Sequence, residues 1–447
     1  MLGFSHTRDW VYPQSIKGRF MTIRRWTFLG LHLLLLITPW IMVNGNPAFR
    51  VDVPARRVFL FGSIFTASDT IFLLLVLWFL AFSLFFFTAV FGRIWCGYAC
   101  PQTVFLESWI RPIELWIEGD RLTRKRRDTR GWTVDRAWRK AAKWSVFLGV
   151  SVFLAMAGMS IFAGARELWT GQAGPVEYSL TAIFTFFWFW DFTWFREQFC
   201  SYVCPYARFQ SALADDESLT VSYIPQRGEP REAGKQAALD GRCIDCNKCV
   251  AVCPQGIDIR DGFQLECIQC ARCIDACVSV MGQLGHRTLV EYSTIAESEG
   301  RTVRRWRPRT FVYGAILVAI IATGGVLLAR RVPFEATVNR APGSLYTVDT
   351  DGSTRNTFLL KITNKDPGET PVRYDIEVSG LAGAEVITQP VELGSTETRT
   401  VPLIVRVPPS SDLVRTTPFD VSITDGDGEI VLHPTFKTGA EIGSTGP

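Results

Sequence analysis

"CIDCNKCVAVCP", residues 243–254, and "CIQCARCIDAC", residues 267–277, hold eight of the twelve cysteines in the chain. In each run three cysteines are spaced by two residues and a fourth follows after three more. Two-residue gaps let three thiolates converge on one face of a cubane, while the fourth sits on a following helical turn and points the other way. This is the spacing of the bacterial two-cluster ferredoxin, in which the fourth cysteine of each run ligates the other cluster. The expected sets are Cys243, Cys246, Cys249 and Cys277 for one 4Fe-4S cluster, and Cys253, Cys267, Cys270 and Cys273 for its neighbour. Pro254 closes the first run as the pattern expects; the second has Val278 there, which leaves the ligands intact. Structural zinc or cysteines that only pack are the competing readings, and a doubled run of this spacing is rarely accidental.

The surroundings of these runs are apolar. The 447 residues are 48% hydrophobic and 13% aromatic, which points to a membrane protein. Crossing a hydrocarbon core takes about 20 residues, and stretches of that kind occur at Trp26–Val43, Ile71–Gly92, Trp144–Ala165 and Thr310–Ala329. A fifth, Tyr178–Phe195, carries one acid, Asp191. The run Val58–Phe65 is too short to span and is expected at the membrane interface. No small-residue cleavage site precedes the first span, which reads as an uncleaved anchor. Lys and Arg concentrate before the first span, in "RLTRKRRDTRGW" and in "RTVRRWRPR", so those segments are expected inside the cell. Five spans then place residues 196–309 in the cytoplasm, where disulfides are not expected, and the C-terminal tail outside. The net charge of +4 follows from this topology, and nothing suggests nucleic-acid binding.

The other four cysteines lie in "WCGYACPQTVF", residues 95–105, and "FCSYVCPYARF", residues 199–209. At an offset of 104 the two stretches match Cys, Tyr, Cys, Pro and Phe, so the membrane part reads as a repeat of two-helix units. Residues four apart share a helix face, and each pair therefore offers two sulfurs in one direction. Together Cys96, Cys100, Cys200 and Cys204 would make a four-sulfur site at the membrane boundary. The following proline disfavours helix for the second cysteine of each pair. Soft thiolates select copper(I), zinc or iron–sulfur clusters; copper handling, a further cluster and buried packing cysteines all stay open.

Asp191 is a candidate functional or metal-ligating residue, because a charge inside a span is expensive. His32, Met156 and Met159 are weaker candidates; each is of a type that more often packs, and no paired histidines offer a haem site. Beyond Arg331, "FLLKITNK", "VRYDIEVSG", "TVPLIVRVPP" and "FDVSITDGDGEIVLHP" alternate apolar and polar residues between turn signals at Asp366-Pro367-Gly368 and Asp425-Gly426-Asp427-Gly428. About seven short strands over some 110 residues suggest an Ig-like sandwich, read as an interaction module. The expected architecture is a polytopic α-helical membrane domain with a two-cluster ferredoxin domain and an Ig-like β-sandwich. Its segments are 1–205 with four spans, 206–309 for the ferredoxin domain, 310–330 for the fifth span, and 331–447 for the sandwich.

This combination resembles the FixG/RdxA/CcoG family of cbb3-type cytochrome c oxidase accessory proteins, over nearly the whole chain. The resemblance implies a multi-pass protein of the bacterial inner membrane with two 4Fe-4S clusters and a periplasmic C-terminal domain. It further implies a cupric reductase, converting copper(II) to copper(I) for oxidase assembly, with Cys96, Cys100, Cys200 and Cys204 at the copper. Its implied partners are the lipid bilayer, oxidase-assembly and copper-handling proteins, and an electron donor that is either a quinol or a cytoplasmic reductant; a homodimer is left open. The nitrate and nitrous-oxide reductase accessory proteins carry similar elements, so a quinol dehydrogenase feeding a periplasmic partner is the alternative, and a non-redox assembly scaffold a third.

Overall fold

The structure is a computed structural model and describes residues 10–303, 307–366, 368, 370–409 and 414–439. It divides into two compact units: one holds the N-terminal residues to Thr38 with Ile71–Gly324, the other Pro39–Thr70 with the chain from Gly325 on.

In the first unit the apolar stretches are helices. Among the described residues, four helical segments are long and apolar enough to cross a membrane: Arg19–Trp40, Ala67–Phe91, Val134–Ala163 and Pro308–Ala329. The fifth stretch is an α-helix only over Pro175–Trp190 and continues as a π-helical turn, Asp191–Phe195. Its α-helical part, 16 residues, is shorter than the length that crosses a bilayer unaided. The first span differs from expectation at both ends. Its α-helix is Arg19–Ile37 rather than Trp26–Val43, because Arg24 is fully buried and its Nε donates to the Gly97 carbonyl at 2.9 Å. A charge that ends an apolar run on paper is here buried inside the protein, held by that backbone contact. Pro39 then stops the helix, since it lacks an N–H and disfavours helix before it.

The ferredoxin part packs on these helices within the same unit. Strands Leu219–Tyr223 and Val290–Thr294 pair antiparallel across its ends, and short helices Lys248–Ala251 and Arg272–Met281 follow the two cysteine loops. Asp275 accepts hydrogen bonds from the backbone N–H groups of Phe20 and Met21, at 3.2 and 2.8 Å. It thereby satisfies donors that a helix N-terminus leaves orphaned. Arg272 pairs with Glu107 at 2.7 Å, both 5% exposed. The cysteine-bearing helix is thus tied to two membrane-proximal elements by buried polar contacts.

The second unit is a β-sandwich. One sheet runs Glu385–Ile387, Thr398–Val407, Thr354–Asn364, Phe334–Arg340, with Thr347–Val348 beside Thr354–Asn364; the other runs Val391–Leu393, Val372–Ser379, Asp420–Thr424, Glu429–Leu432. Strand Thr354–Asn364 buries every second residue, Phe358, Leu360 and Ile362 among them, as the alternation of a half-buried strand requires. The core adds Leu403, Val405, Phe419, Val421, Ile423 and Phe436. With the pair Thr416–Pro418 and Thr435–Lys437 the described residues hold eleven strands here, not about seven. The excess is strands of two or three residues, too short to show an alternation. The stretch Val58–Phe65, expected at the interface, forms strands of an antiparallel sheet, Phe49–Asp52, Arg57–Leu60 and Ser63–Phe65. Nearby, Asp69 pairs with Arg331 at 2.9 Å and Lys365 at 3.1 Å. Of the expected turns, Pro367 lies outside the described residues, as do residues 304–306 of the basic run before the last span.

Candidate iron–sulfur and thiol sites

The two ferredoxin loops share an unusual backbone. Asp245 and Asn247 flank Cys246 with φ of 52° and 54°, and Gln269 and Ala271 flank Cys270 with φ of 54° and 60°. Left-handed conformations are uncommon away from glycine and concentrate at functional sites. Repeated at equivalent positions, they turn each loop tightly around its middle cysteine, and successive N–H groups of such a turn form an anion-binding concavity. Each loop then enters its short helix.

Two cavities lie between the loops. One is lined by Cys243, Cys246, Cys249 and Cys277 with Tyr223, Met281, Leu289 and Val290. The other is lined by Cys253, Cys267, Cys270 and Cys273 with Val221, Ile257 and Ile259. Cys249 borders both. The structure thus brings together the two sets read from spacing, each with its fourth cysteine taken from the other run. The Leu289 N–H donates to Cys277 Sγ at 3.3 Å. Burial pushes the Cys249 and Cys267 thiols up to about 12 and that of Cys253 up to about 11. Thiols in apolar walls resist ionising on their own; a cationic iron–sulfur core reverses this, because the coordinating form is the thiolate. These residues fit two 4Fe-4S clusters. Among the described residues no three His, Cys, Asp or Glu side chains converge tightly enough for a single ion, and the twelve cysteines are free of disulfides.

The other four cysteines also come together. Gly92 and Arg196, equivalent at the offset of 104, both have positive φ, of 59° and 55°. The N–H of Cys100 bonds to the Trp95 carbonyl and that of Cys204 to the Phe199 carbonyl, each at 2.9 Å. Cys100 and Cys204 are both extended and cap helices that begin at Pro101 and Pro205. The repeat is therefore one of backbone conformation, with proline holding each second cysteine out of the helix as expected. Burial pushes the Cys96 thiol up to about 11, Arg93 opposing and Cys100 and Cys204 adding to it. Burial likewise raises the Cys200 thiol, with Cys100, Cys96 and Cys204 contributing. For Cys100, burial is opposed by the backbone N–H groups of Thr103 and Gln102, which face its sulfur.

This thiol group abuts the second cavity. Cys96, Ile268 and Cys270 form one buried cluster with Tyr206 against it. A Cβ on Gly97 would stand 2.6 Å from the Ile268 carbonyl and 2.9 Å from the Cys270 Cα, so only glycine permits this approach. Cys96 Sγ donates to Gln210 Oε1 at 3.1 Å, and Gln210 Nε2 donates to the Tyr206 hydroxyl at 2.8 Å.

Residues 195–295 match a family model described as a 4Fe-4S dicluster domain, residues 70–125 a 4Fe-4S binding domain, and residues 325–436 an IG-like fold at the C-terminus of FixG. The chain is 37% identical over 396 residues to Protein RdxA of Cereibacter sphaeroides, covering 83% of each. It is 34% identical over 429 residues to the nitrogen fixation protein FixG of Rhizobium meliloti, covering 85% of this chain and 81% of that one. It belongs to the FixG family. Protein RdxB of Cereibacter sphaeroides is 37% identical over 399 residues, covering 84% and 83%. A crystal structure of a FixG-related protein from Vibrio parahaemolyticus aligns over its whole length with 25% of the chain, at 21% identity and a TM-score of 0.23. This FixG-family chain is an iron–sulfur protein of the electron-transfer, oxidoreductase type.

Other sequence candidates separate from these sites. Asp191 is 8% exposed, and both of its carboxylate oxygens lack a hydrogen-bond partner among the described residues; the structure does not gather it with the cysteines into a metal-binding group. His32 is satisfied: it accepts from Trp109 Nε1 at 2.7 Å, and its Nδ1 donates to the Phe28 carbonyl at 2.7 Å. Met159 is buried as a packing residue. Sequence reasoning missed Gly97, Arg93 and Gln210. For Gly97 the repeat held a signal, since the matching position in the second half is Ser201.

Proposed function

We propose that this FixG-family protein passes electrons through two 4Fe-4S clusters to a four-thiol site, where copper(II) is reduced to copper(I) for assembly of a cbb3-type oxidase. The observation that carries the proposal is the contact of Cys96 and Gly97 with Ile268 and Cys270, which sets the thiol group against the wall of the second cavity. When bound, the clusters supply one-electron steps, with Cys243, Cys246, Cys249 and Cys277 holding one and Cys253, Cys267, Cys270 and Cys273 the other. Copper(II) arrives as substrate at Cys96, Cys100, Cys200 and Cys204, takes one electron and leaves as copper(I), the ion that soft sulfur ligands favour. The electron donor is a quinol or a cytoplasmic reductant. The Lys/Arg bias puts the clusters in the cytoplasm and the sandwich in the periplasm of a bacterial inner membrane, where the sandwich would dock assembly or copper-handling partners.

A second reading rests on the match of residues 70–125, which include Cys96 and Cys100, to a 4Fe-4S binding domain: the four thiols then hold a third cluster and electrons leave for another redox partner. Single substitutions Cys96→Ala and Cys204→Ala separate the two. The copper reading expects loss of most copper(II) reduction with iron unchanged, and little further loss on combining them, as for groups that act as a unit. A fall of about four irons per chain supports the cluster reading, and full reduction by variants that keep their iron overturns both.

A further inference from the structure

Arg93 stands at the junction of the two sites. It follows Gly92, whose φ is positive, and is 3% exposed. Its backbone N–H donates to Gln269 Oε1 at 2.9 Å, and its guanidinium donates to the Leu265 carbonyl. Gln269 in turn donates to the Leu219 carbonyl at 2.9 Å. The side chain is therefore threaded into the loop that carries Cys267 and Cys270. Among the described residues no carboxylate pairs with it, and its buried Nε has no hydrogen-bond partner.

The second half of the repeat treats this position differently. There Glu197 occupies the equivalent place and is matched inside the protein by Arg111 at 3.2 Å and Arg196 at 3.5 Å. An unmatched buried cation costs several kcal/mol, so the charge of Arg93 needs an anion that the carboxylates do not provide. Thiols of both sites flank it: the Cys96 N–H donates to the Arg93 carbonyl at 3.0 Å on one side, and on the other its partners Leu265 and Gln269 bracket Cys267 in the chain. As thiols these are neutral; as ligands they are anionic, and a gained electron makes a cluster more so.

We infer that Arg93 is the shared counter-cation of the second iron–sulfur site and the four-cysteine site, stabilising the reduced state of both. The inference rests on reading Cys267 and the four membrane-proximal cysteines as ligands, and it makes Arg93 a residue that acts on potential rather than a ligand. Removing a cation near a redox centre disfavours the added electron, so the neutral Arg93→Gln should lower the midpoint potential of the second cluster. The first cluster should move less, because the hydrogen bonds of Arg93 go to Leu265 and Gln269 beside the second loop's cysteines.

The test is an EPR-monitored redox titration of the full-length, iron-loaded chain with Arg93→Gln and Arg93→Lys, iron content being measured alongside. With full iron, Arg93→Gln should reduce the reduced-to-oxidised ratio of the second cluster at least tenfold at fixed ambient potential. For a one-electron couple that is about 59 mV. Arg93→Lys, which keeps the charge, should stay within about threefold of the parent chain. An unchanged ratio in iron-replete Arg93→Gln overturns the inference. Should Arg93→Gln lose its iron, Arg93→Lys decides: full iron at the parental potential supports the charge role, whereas loss of iron there too shows that the contact to Leu265 matters instead. Failure of the copper reading looks different, with potentials that respond to Arg93 and no copper(II) reduction.

Discussion

Gly97→Ala tests whether the thiol site and the second cavity must touch. Gly97 lies in helix Ile94–Tyr98 between Cys96 and Tyr98. On helix propensity alone, alanine would stabilise by about 0.5–1 kcal/mol. The new Cβ, however, would meet backbone: the Ile268 carbonyl at 2.6 Å, the Cys270 Cα at 2.9 Å and its N at 3.0 Å. Ordinary contact begins at 3.4 Å, so the closest pair must open by roughly 0.8 Å, and neither backbone can swing away as a flexible side chain would. Overpacking of this kind costs about 1–3 kcal/mol, which outweighs the propensity gain. The Arg24 bond to the Gly97 carbonyl strains in the same movement. Denaturant melts of the detergent-solubilised chain should show net destabilisation, and copper(II) reduction by the dithionite-reduced protein should slow several-fold with iron retained. Gly149→Ala is the control, because nothing lies within 4 Å of its Cβ position. Parental stability and reduction rate in Gly97→Ala would refute the close approach and with it the route between the sites.

Four further outcomes can be checked. Burial pushes the Glu114 carboxyl up, but Arg196, Arg124 and Arg111 together outweigh it and hold it at about 2; the stability this confers is present above about 4.5 and is lost as pH falls through about 2, visible as acid unfolding. Glu114→Gln removes the negative charge that Arg196 at 2.7 Å and Arg124 at 2.9 Å face, and turns one of the two oxygens into an amide NH2; it should cost about 3–5 kcal/mol in a denaturant titration. Cys253→Ser should damage the cluster of Cys267, Cys270 and Cys273, whose cavity it shares; EPR damage confined to the cluster of Cys243 and Cys246 would overturn the ligand sets. A phosphatase fused after Pro447 should be active, and an inactive fusion that fluoresces with a cytoplasmic reporter would reverse the C-terminal orientation.

What sequence could disclose tracks the range of the interactions. Cysteine spacing is local, and it anticipated the grouping around both cavities. The proline rule is local too, and it foresaw the extended Cys100 and Cys204. Interactions between distant residues left no such trace. Arg24 reads as the end of an apolar run until Gly97, 73 residues on, supplies its acceptor. The buried network of Glu114 with Arg111, Arg124 and Arg196 reads as surface charge beside a membrane until the fold gathers it. The strands at Arg57–Leu60 and Ser63–Phe65 were hidden because three or four residues carry no period.

The central claim, that electrons held by two clusters reach copper at the four thiols, is tested most directly by metal analysis and EPR. The measurement uses anaerobically purified, reduced, full-length protein before and after copper(II) is added. Iron near eight per chain is predicted, about four for each cluster, with the reduced-cluster signal lost on addition and the copper left EPR-silent as copper(I). About twelve irons per chain, or a persistent copper(II) signal beside clusters that stay reduced, would contradict it.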